Sequence, residues 1–329
     1  MLVVLVAAAL GATALAWREL NSPLAMQEDR DWLRITAGTP FNRVTADLAN
    51  RGLLDQAWLL NLYARATDQA TRVRAGEYEL TAGITPVTLL EKVVAGDVYL
   101  HEITIVEGAR FAETLAALRS HSAIGATELD GPAIMAALGA PGIHPEGQFF
   151  PDTYRFPYGT SDLDVLRIAH EELTAHLQAA WQARSPDLLL KNDYEALILA
   201  SIIEKETALA TERRLIAGVF HERLRRNMRL QTDPTVIYGL GDAFDGNLRK
   251  QDLERDTPYN TYTRAGLPPT PIALPGAEAL EAAVMPELSG ALYFVATGLG
   301  DGSHYFSATL EQHQEAVRNY LLQLRSQEP

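Results

Sequence analysis

Residues 192 to 210 read NDYEALILASIIEKETALA. Asn192 suits an N-cap, and Glu195, three positions on, completes a capping box by reaching back to an orphan backbone donor. The body, Ala196 to Ala210, is apolar on nearly every face until Glu204, Lys205 and Glu206 interrupt it. Such a helix is buried, so a carboxylate in it must be paired, solvated by a cleft or protonated. Ala200, Ser201 and Ala208 flank Glu204 at helical spacing and leave room beside it. Glu206 lies roughly 200° around the axis, so the two glutamates do not form a same-face pair. Two readings follow. Glu204, Lys205 and Glu206 form local ion pairs at an emerging helix end, or Glu204 is a lone acid whose pKa is raised by apolar surroundings, as glycoside cleavage requires.

Downstream, residues 211 to 228 form a second helix with Leu215, Val219, Phe220 and Leu224 on one side. From Glu204 to Arg229, seven Lys and Arg stand against four Asp and Glu, a local surplus of positive charge that suits an anionic substrate or simply a solvated face. Asp233-Pro234 reads as a turn or helix start. Gln231, Thr232 and Tyr238 are of the type that hydrogen-bonds sugar hydroxyls. Four prolines between Pro268 and Pro275 force extended backbone, which lines a groove well. A helix (278–283), a strand (291–296), a glycine turn and a helix from about 310 to 324 complete the chain. Upstream, residues 163–181 read as a long amphipathic helix, and the aromatic, proline-rich stretch 141–160 as an ordered loop. Ile35 to Phe41 and Ile105 to Phe111 each read as strand, glycine turn and helix start. Residues 32–140 are therefore expected to be a small α/β domain with an appended strand–helix unit, and 141–329 a second, mixed α+β domain built around the acid-bearing helix.

MLVVLVAAALGATALAW, residues 1–17, carries no charge before Arg18. At 1.5 Å per residue it spans about 26 Å, near the lower limit for a bilayer. An uncleaved anchor is expected, followed by a linker at 18–31. Ala14-Leu15-Ala16 keeps a cleaved signal open as the alternative. No Lys or Arg precedes the run, so a short cytoplasmic tail is expected upstream of it. Overall, 28 Lys and Arg against 42 Asp and Glu give a net charge of −14, which disfavours nucleic acid as a partner. The chain has no cysteine, hence no disulfide and no thiolate chemistry. Zinc-protease, GxSxG, phosphate-loop and dinucleotide motifs are absent.

The runs LILASIIEKET (197–207), RLQTDPTVIYG (229–239), YNTY (259–262), GLPPTPI (266–272), LYFVA (292–296), EGQFFPDTYRF (146–156) and ITIVEG (103–108) together resemble the endolytic murein transglycosylase family, the YceG-like proteins. The resemblance covers essentially the whole chain. It implies a single-pass protein of the bacterial inner membrane, with a LysM-like domain and a catalytic domain on the periplasmic side. It implies cleavage of nascent peptidoglycan glycan strands at internal bonds, leaving 1,6-anhydro ends and terminating strand growth. Its partners would be those strands, membrane lipid and the cell-wall synthases such an enzyme meets. The first glutamate of the family's I-E-K-E run is its catalytic acid, which falls on Glu204. Thr270 departs from the pattern, standing where the family usually has glycine.

The chemistry implied needs neither metal nor cofactor. A protonated Glu204 donates to the bond between N-acetylmuramic acid and N-acetylglucosamine, then accepts the C6 hydroxyl proton as that oxygen closes the anhydro ring. This requires one carboxylate, unlike two-carboxylate hydrolysis. Gln231, Asp233, Tyr238, Asn260, Tyr262 and His304 are candidates for sugar contact, for orienting Glu204, or for loop structure. A hydrolase would instead need a water-activating carboxylate opposite Glu204, with Asp152 or Asp233 the sources. A non-catalytic glycan-binding scaffold resting on the N-terminal domain is the third reading.

Overall fold

The computed structural model describes residues 1–327, with side chains to 325. The chain is α+β and divides into two compact units: residues 1–102 with 155–160, and 103–154 with 161 onward.

The first unit opens with α1 (Leu2–Leu20), whose apolar length suits a membrane span and whose spanning window is unburied. Its last turn is different: Leu20, with Leu24 after it, enters the unit's core. That core lies between the hairpin of β1 (Arg30–Ile35) and β2 (Gly76–Thr81) and the helices α2 (Phe41–Asn50), α3 (Ala57–Ala66) and α4 (Pro86–Ala95). The strands are antiparallel, with Arg30 opposite Thr81 and Ile35 opposite Gly76. Leu33, Ile35, Tyr78 and Leu80 alternate inward as the two-residue strand period requires. Thr85 and Thr88 form a reciprocal capping box at the start of α4, Pro86 takes its first position, and Gly96 ends it in the left-handed region. Strands and helices thus run from β1 to α4 in the order β1, α2, α3, β2, α4.

Beyond it come β3 (Leu100–Thr104), α5 (Phe111–Ser120), β4 (Ile124–Gly125), α6 (Gly131–Ala137), β5 (Thr153–Pro157), β6 (Thr160–Ser161), α7 (Asp162–Gln182), α8 (Asp193–Glu206), α9 (Ala210–Arg225), α10 (Asp233–Leu240), α11 (Lys250–Glu254), α12 (Ala277–Val284), β7 (Tyr293–Ala296), β8 (His304–Ser307) and α13 (Leu310–Gln327). Among the described residues the sheets are all two-stranded, pairing β1 with β2, β3 with β5, β4 with β6 and β7 with β8. The 101–140 region, expected as an appended piece of the 32–140 domain, groups from Ile103 onward with the second unit. Gly108 amide donates to Leu274 carbonyl and Leu274 amide to Ala109 carbonyl, at 2.8 and 2.9 Å, tying this segment to the loop before α12.

The second unit is organised around α8. Its residues from Ala196 to Ile203 are all buried, packed by α7, α9, α10 and α12. Asn192 Oδ1 accepts the Glu195 amide at 2.9 Å, the expected cap. Glu195 reaches back one residue further than the capping box predicts, accepting the Lys191 amide at 2.8 Å.

The expected helix end is corrected. α8 stops at Glu206 rather than Ala210, because Thr207 is extended (φ −146°, ψ 138°) and its hydroxyl accepts the Leu209 amide at 3.0 Å. That side-chain bond replaces a helical one, and the chain turns back into α9. Ala208 therefore does not flank Glu204.

Candidate active site

The break at Thr207 places Glu204 in the last turn of α8, its side chain 6 % exposed. Three segments converge on it. Ser201, one turn earlier on the same face, accepts the Ile272 amide at 3.0 Å and donates to the Ile198 carbonyl at 2.7 Å. This pins the proline-stiffened loop against α8. The loop then delivers the Gly276 amide, which donates to Glu204 Oε2 at 3.0 Å as α12 begins. From α9, Arg213 Nη2 lies 3.2 Å from Glu204 Oε1. From the turn after β3, Lys205 Nζ donates to the Gly108 carbonyl at 3.1 Å, holding Glu107 and Gly108 beside the acid. A Cβ on Gly276 would stand 2.0 Å from Glu107 Oε1, so any larger residue there would displace the Glu107 carboxylate.

Arg213 serves several carboxylates. Its Nη1 lies 2.5 Å from Glu278 Oε2 and its Nη2 3.8 Å from Glu107 Oε2. Burial pushes the Glu204 carboxyl above its ordinary pKa; the Gly276 amide and Arg213 oppose this, while Glu107 and Glu278 add to it. The carbonyl end of α8 also disfavours an anion there. The Gly276 amide and the Arg213 guanidinium stand ready to stabilise the carboxylate form of a group that burial pushes toward its protonated form.

Glu206, as its position on the helix predicts, turns elsewhere. It accepts a hydrogen bond from the Thr232 hydroxyl and is surrounded by Asp233 and Arg223. Burial pushes its pKa up to about 7. Of the two readings, local ion pairing among Glu204, Lys205 and Glu206 is not what the described residues show: each side chain has its own partner.

Among the described residues, none of the six sugar-contact candidates forms a hydrogen bond or ion pair with Glu204. Asp233 accepts the Tyr262 hydroxyl at 2.5 Å, and exposed Gln231 takes a left-handed φ of 51° beside Arg223. Both belong to the Glu206 side. Asn260 is fully buried; its amide group donates to the Asp252, Leu253 and Arg255 carbonyls and its Oδ1 accepts the Tyr262 amide, so it knits a loop. His304 Nδ1 lies 2.7 Å from Glu212 Oε2, tying β8 to α9. Tyr238 donates to Glu146 Oε2 at 3.1 Å, with the Arg110 guanidinium 5.3 Å from its ring centre. Glu146 in turn accepts the Phe111 amide at 2.9 Å at the start of α5. Asp152 accepts its neighbour Thr153's amide, and neither it nor Asp233 pairs with any group around Glu204.

The basic surplus after Glu204 is largely engaged inside the protein. Arg213 serves carboxylates, Arg223 donates to the Leu230 and Leu292 carbonyls, and Arg225 and Arg226 flank Glu222. Thr270, the departure from the expected glycine, shares a hydrogen bond with the Tyr259 hydroxyl at 2.9 Å. Sequence reasoning missed Arg213, Glu278 and Glu107 as neighbours of the acid. Glu107 sits in the quoted ITIVEG run and Glu278 follows the Pro275-Gly276 pair, but neither has a spacing that signals convergence.

The model of the YceG-like family matches residues 33–319. An endolytic murein transglycosylase of Bacillus subtilis is 30% identical over 309 residues, covering 88% of this chain and 84% of that protein. A Streptococcus pneumoniae protein of the same name is 26% identical, and the chain spans 58% of its length. The crystal structure of a YceG-like protein from Listeria monocytogenes superposes with a TM-score of 0.57 at 28% identity, covering 87% of this chain and 98% of that one. A match running from β1 into α13, with a similar solved fold, leads to one conclusion: the chain belongs to the YceG-like family.

Proposed function

We propose that this protein is a membrane-anchored endolytic lytic transglycosylase that cuts the β-1,4 bond between N-acetylmuramic acid and N-acetylglucosamine in nascent peptidoglycan, leaving 1,6-anhydromuramyl ends and ending strand growth. The observation that carries the reading is that Glu204, in the last turn of the core helix of a YceG-like chain, has its carboxyl buried and pushed above its ordinary pKa while the Gly276 amide and Arg213 face it. Glu204 donates its proton to the glycosidic oxygen, and the bond to C1 of the muramyl ring breaks. As the C6 oxygen of the same ring bonds C1, its proton passes to the Glu204 carboxylate, restoring the acid. Gly276 amide and Arg213 stabilise the carboxylate between the two transfers. The nucleophile is tethered to the carbon it attacks, a proximity advantage that water lacks. The apolar body of α8 and the loop from Pro268 to Pro275 wall the site against water.

Half-buried Tyr238 and Tyr262 are the candidate residues best suited to meet sugar, while Asn260 and His304 hold loops. The first unit takes the LysM-like role, and the catalytic unit faces the periplasm.

Digestion of uncapped glycan strands in heavy-oxygen water, followed by mass spectrometry, tests the reaction. Anhydromuramyl ends without label, arising at internal bonds, are expected. Reducing muramyl ends carrying heavy oxygen would show a hydrolase instead, and no cleavage by folded protein would favour a binding scaffold.

A further inference from the structure

We propose that Glu278 and Glu107 are positioning residues that hold the Arg213 guanidinium away from full pairing with Glu204, the acid of the proposed cleavage. The inference deepens the reading above and rests on Glu204 being the acid.

Arg213 is buried, its side chain 8 % exposed, and three carboxylates lie within 4 Å of it: Glu278 at 2.5 Å, Glu204 at 3.2 Å and Glu107 at 3.8 Å. One cation cannot balance three anions, so the cluster favours carrying a proton. Where that proton sits follows from solvation. Glu278 and Glu107 are 63 % and 51 % exposed, in contact with water, whereas Glu204 is 6 % exposed. Desolvation disfavours the charged form most at the most buried group. The geometry of the guanidinium agrees. A fork aimed at ionising Glu204 would grip both carboxylate oxygens. Here Arg213 gives Glu204 one contact at 3.2 Å, its shortest contact goes to Glu278, and its buried Nε has no hydrogen-bond partner among the described residues.

Two more charged side chains adjoin the acid and Arg213. Lys205, on the same helix, donates to the Gly108 carbonyl, and Glu212, near Arg213 on α9, is bound by His304. Glu107 comes from the turn after β3 and Glu278 from the first turn of α12, so the arrangement depends on three separate segments meeting at Arg213.

The test is the pH dependence of kcat/KM for the full-length chain in detergent on uncapped glycan strands. Its basic limb reports loss of the proton from the free enzyme's acid. Glu278→Gln removes one anion and releases Arg213 toward Glu204, so the limb should move to lower pH by about one unit. Glu107→Gln should move it the same way by less, because Glu107 is farther from Arg213. Glu278→Asp should restore it in part. Glu278 is largely exposed, so these variants should fold, which circular dichroism checks. Arg213→Gln should move the limb to higher pH. A rate lowered equally at every pH, with the limb unmoved in both Gln variants, would make the two glutamates merely structural and overturn the proposal. A limb displaced upward in Glu278→Gln would overturn it as well. Failure of the underlying reading looks different: Glu204→Gln would then retain cleavage.

Discussion

Two glutamates two positions apart carry different burdens. Glu204 meets a backbone donor and a shared arginine; Glu206 meets Thr232, Asp233 and Arg223 on the other side of the helix. Glu204→Gln keeps size and the Gly276 hydrogen bond but removes the transferable proton. Cleavage of purified strands should fall by roughly 10²–10⁴-fold, with the fold retained. Near-native turnover would remove Glu204 from the mechanism. Glu206→Gln should leave turnover within a few-fold, and its clearer effect is on stability. Glu206 has a folded pKa of about 7, above its ordinary value, so the folded state binds a proton that the unfolded chain releases earlier. The stabilisation linked to that proton is full below about pH 4.5 and is lost as pH rises through about 7. Melting temperatures should therefore match for wild type and Glu206→Gln at about pH 4 and below, and the variant should melt higher at pH 8. A wild-type advantage at pH 8 would contradict the burial argument for this group.

At the scale of elements, the site depends on α8 ending early and on one loop being held against it. Ser201 links the two, since its hydroxyl is the partner of the buried Ile272 amide. Ser201→Ala leaves that amide unsatisfied, which costs about 1–3 kcal/mol and loosens the segment carrying Gly276. A lower melting temperature with a fall in kcat larger than any rise in KM is expected; an unchanged kcat would mean the loop is held by other contacts. Gly147 is a second point of dependence. It has φ +77°, and a Cβ there would stand 2.4 Å from Pro271 Cβ, so Gly147→Ala should disturb the same loop from the other side. Loss of solubility or a melting temperature several degrees lower would register this.

Over the whole molecule, a helix suited to a bilayer opens the first of two compact units. α1 continues past Trp17 to Leu20, which is buried in the first unit's core, and Trp17 itself lies 6.3 Å from Tyr63, ring centre to ring centre. Removal of residues 1–16 would thus cut a continuous helix just before the turn that enters a folded core. Fractionation of cells should leave full-length chain in the membrane pellet. A soluble mature form beginning at Trp17 would favour signal cleavage instead.

The sequence by itself determined what neighbours within a few residues can encode. The cap at Asn192, the buried face of α8, the strand–glycine–helix units and the apolar N-terminal run all follow from local periodicity and backbone chemistry, and the structure retains them. The motifs also carried the family. The end of α8 was not legible, because Glu-Thr-Ala-Leu-Ala are acceptable helix formers and only the Thr207 side-chain bond and the packing of α9 impose the break. Nor were the residues around Glu204. Gly276 lies 72 positions from it, and Glu278 lies 65 from Arg213. Charges on loops have no period, and their coupling depends on separation in space and on desolvation, not on separation along the chain. The polar residues chosen for sugar contact were ambiguous for the same reason: a buried Asn260 or a His304 answers equally well to a loop's carbonyls or to a partner carboxylate, and only folding decides which it meets.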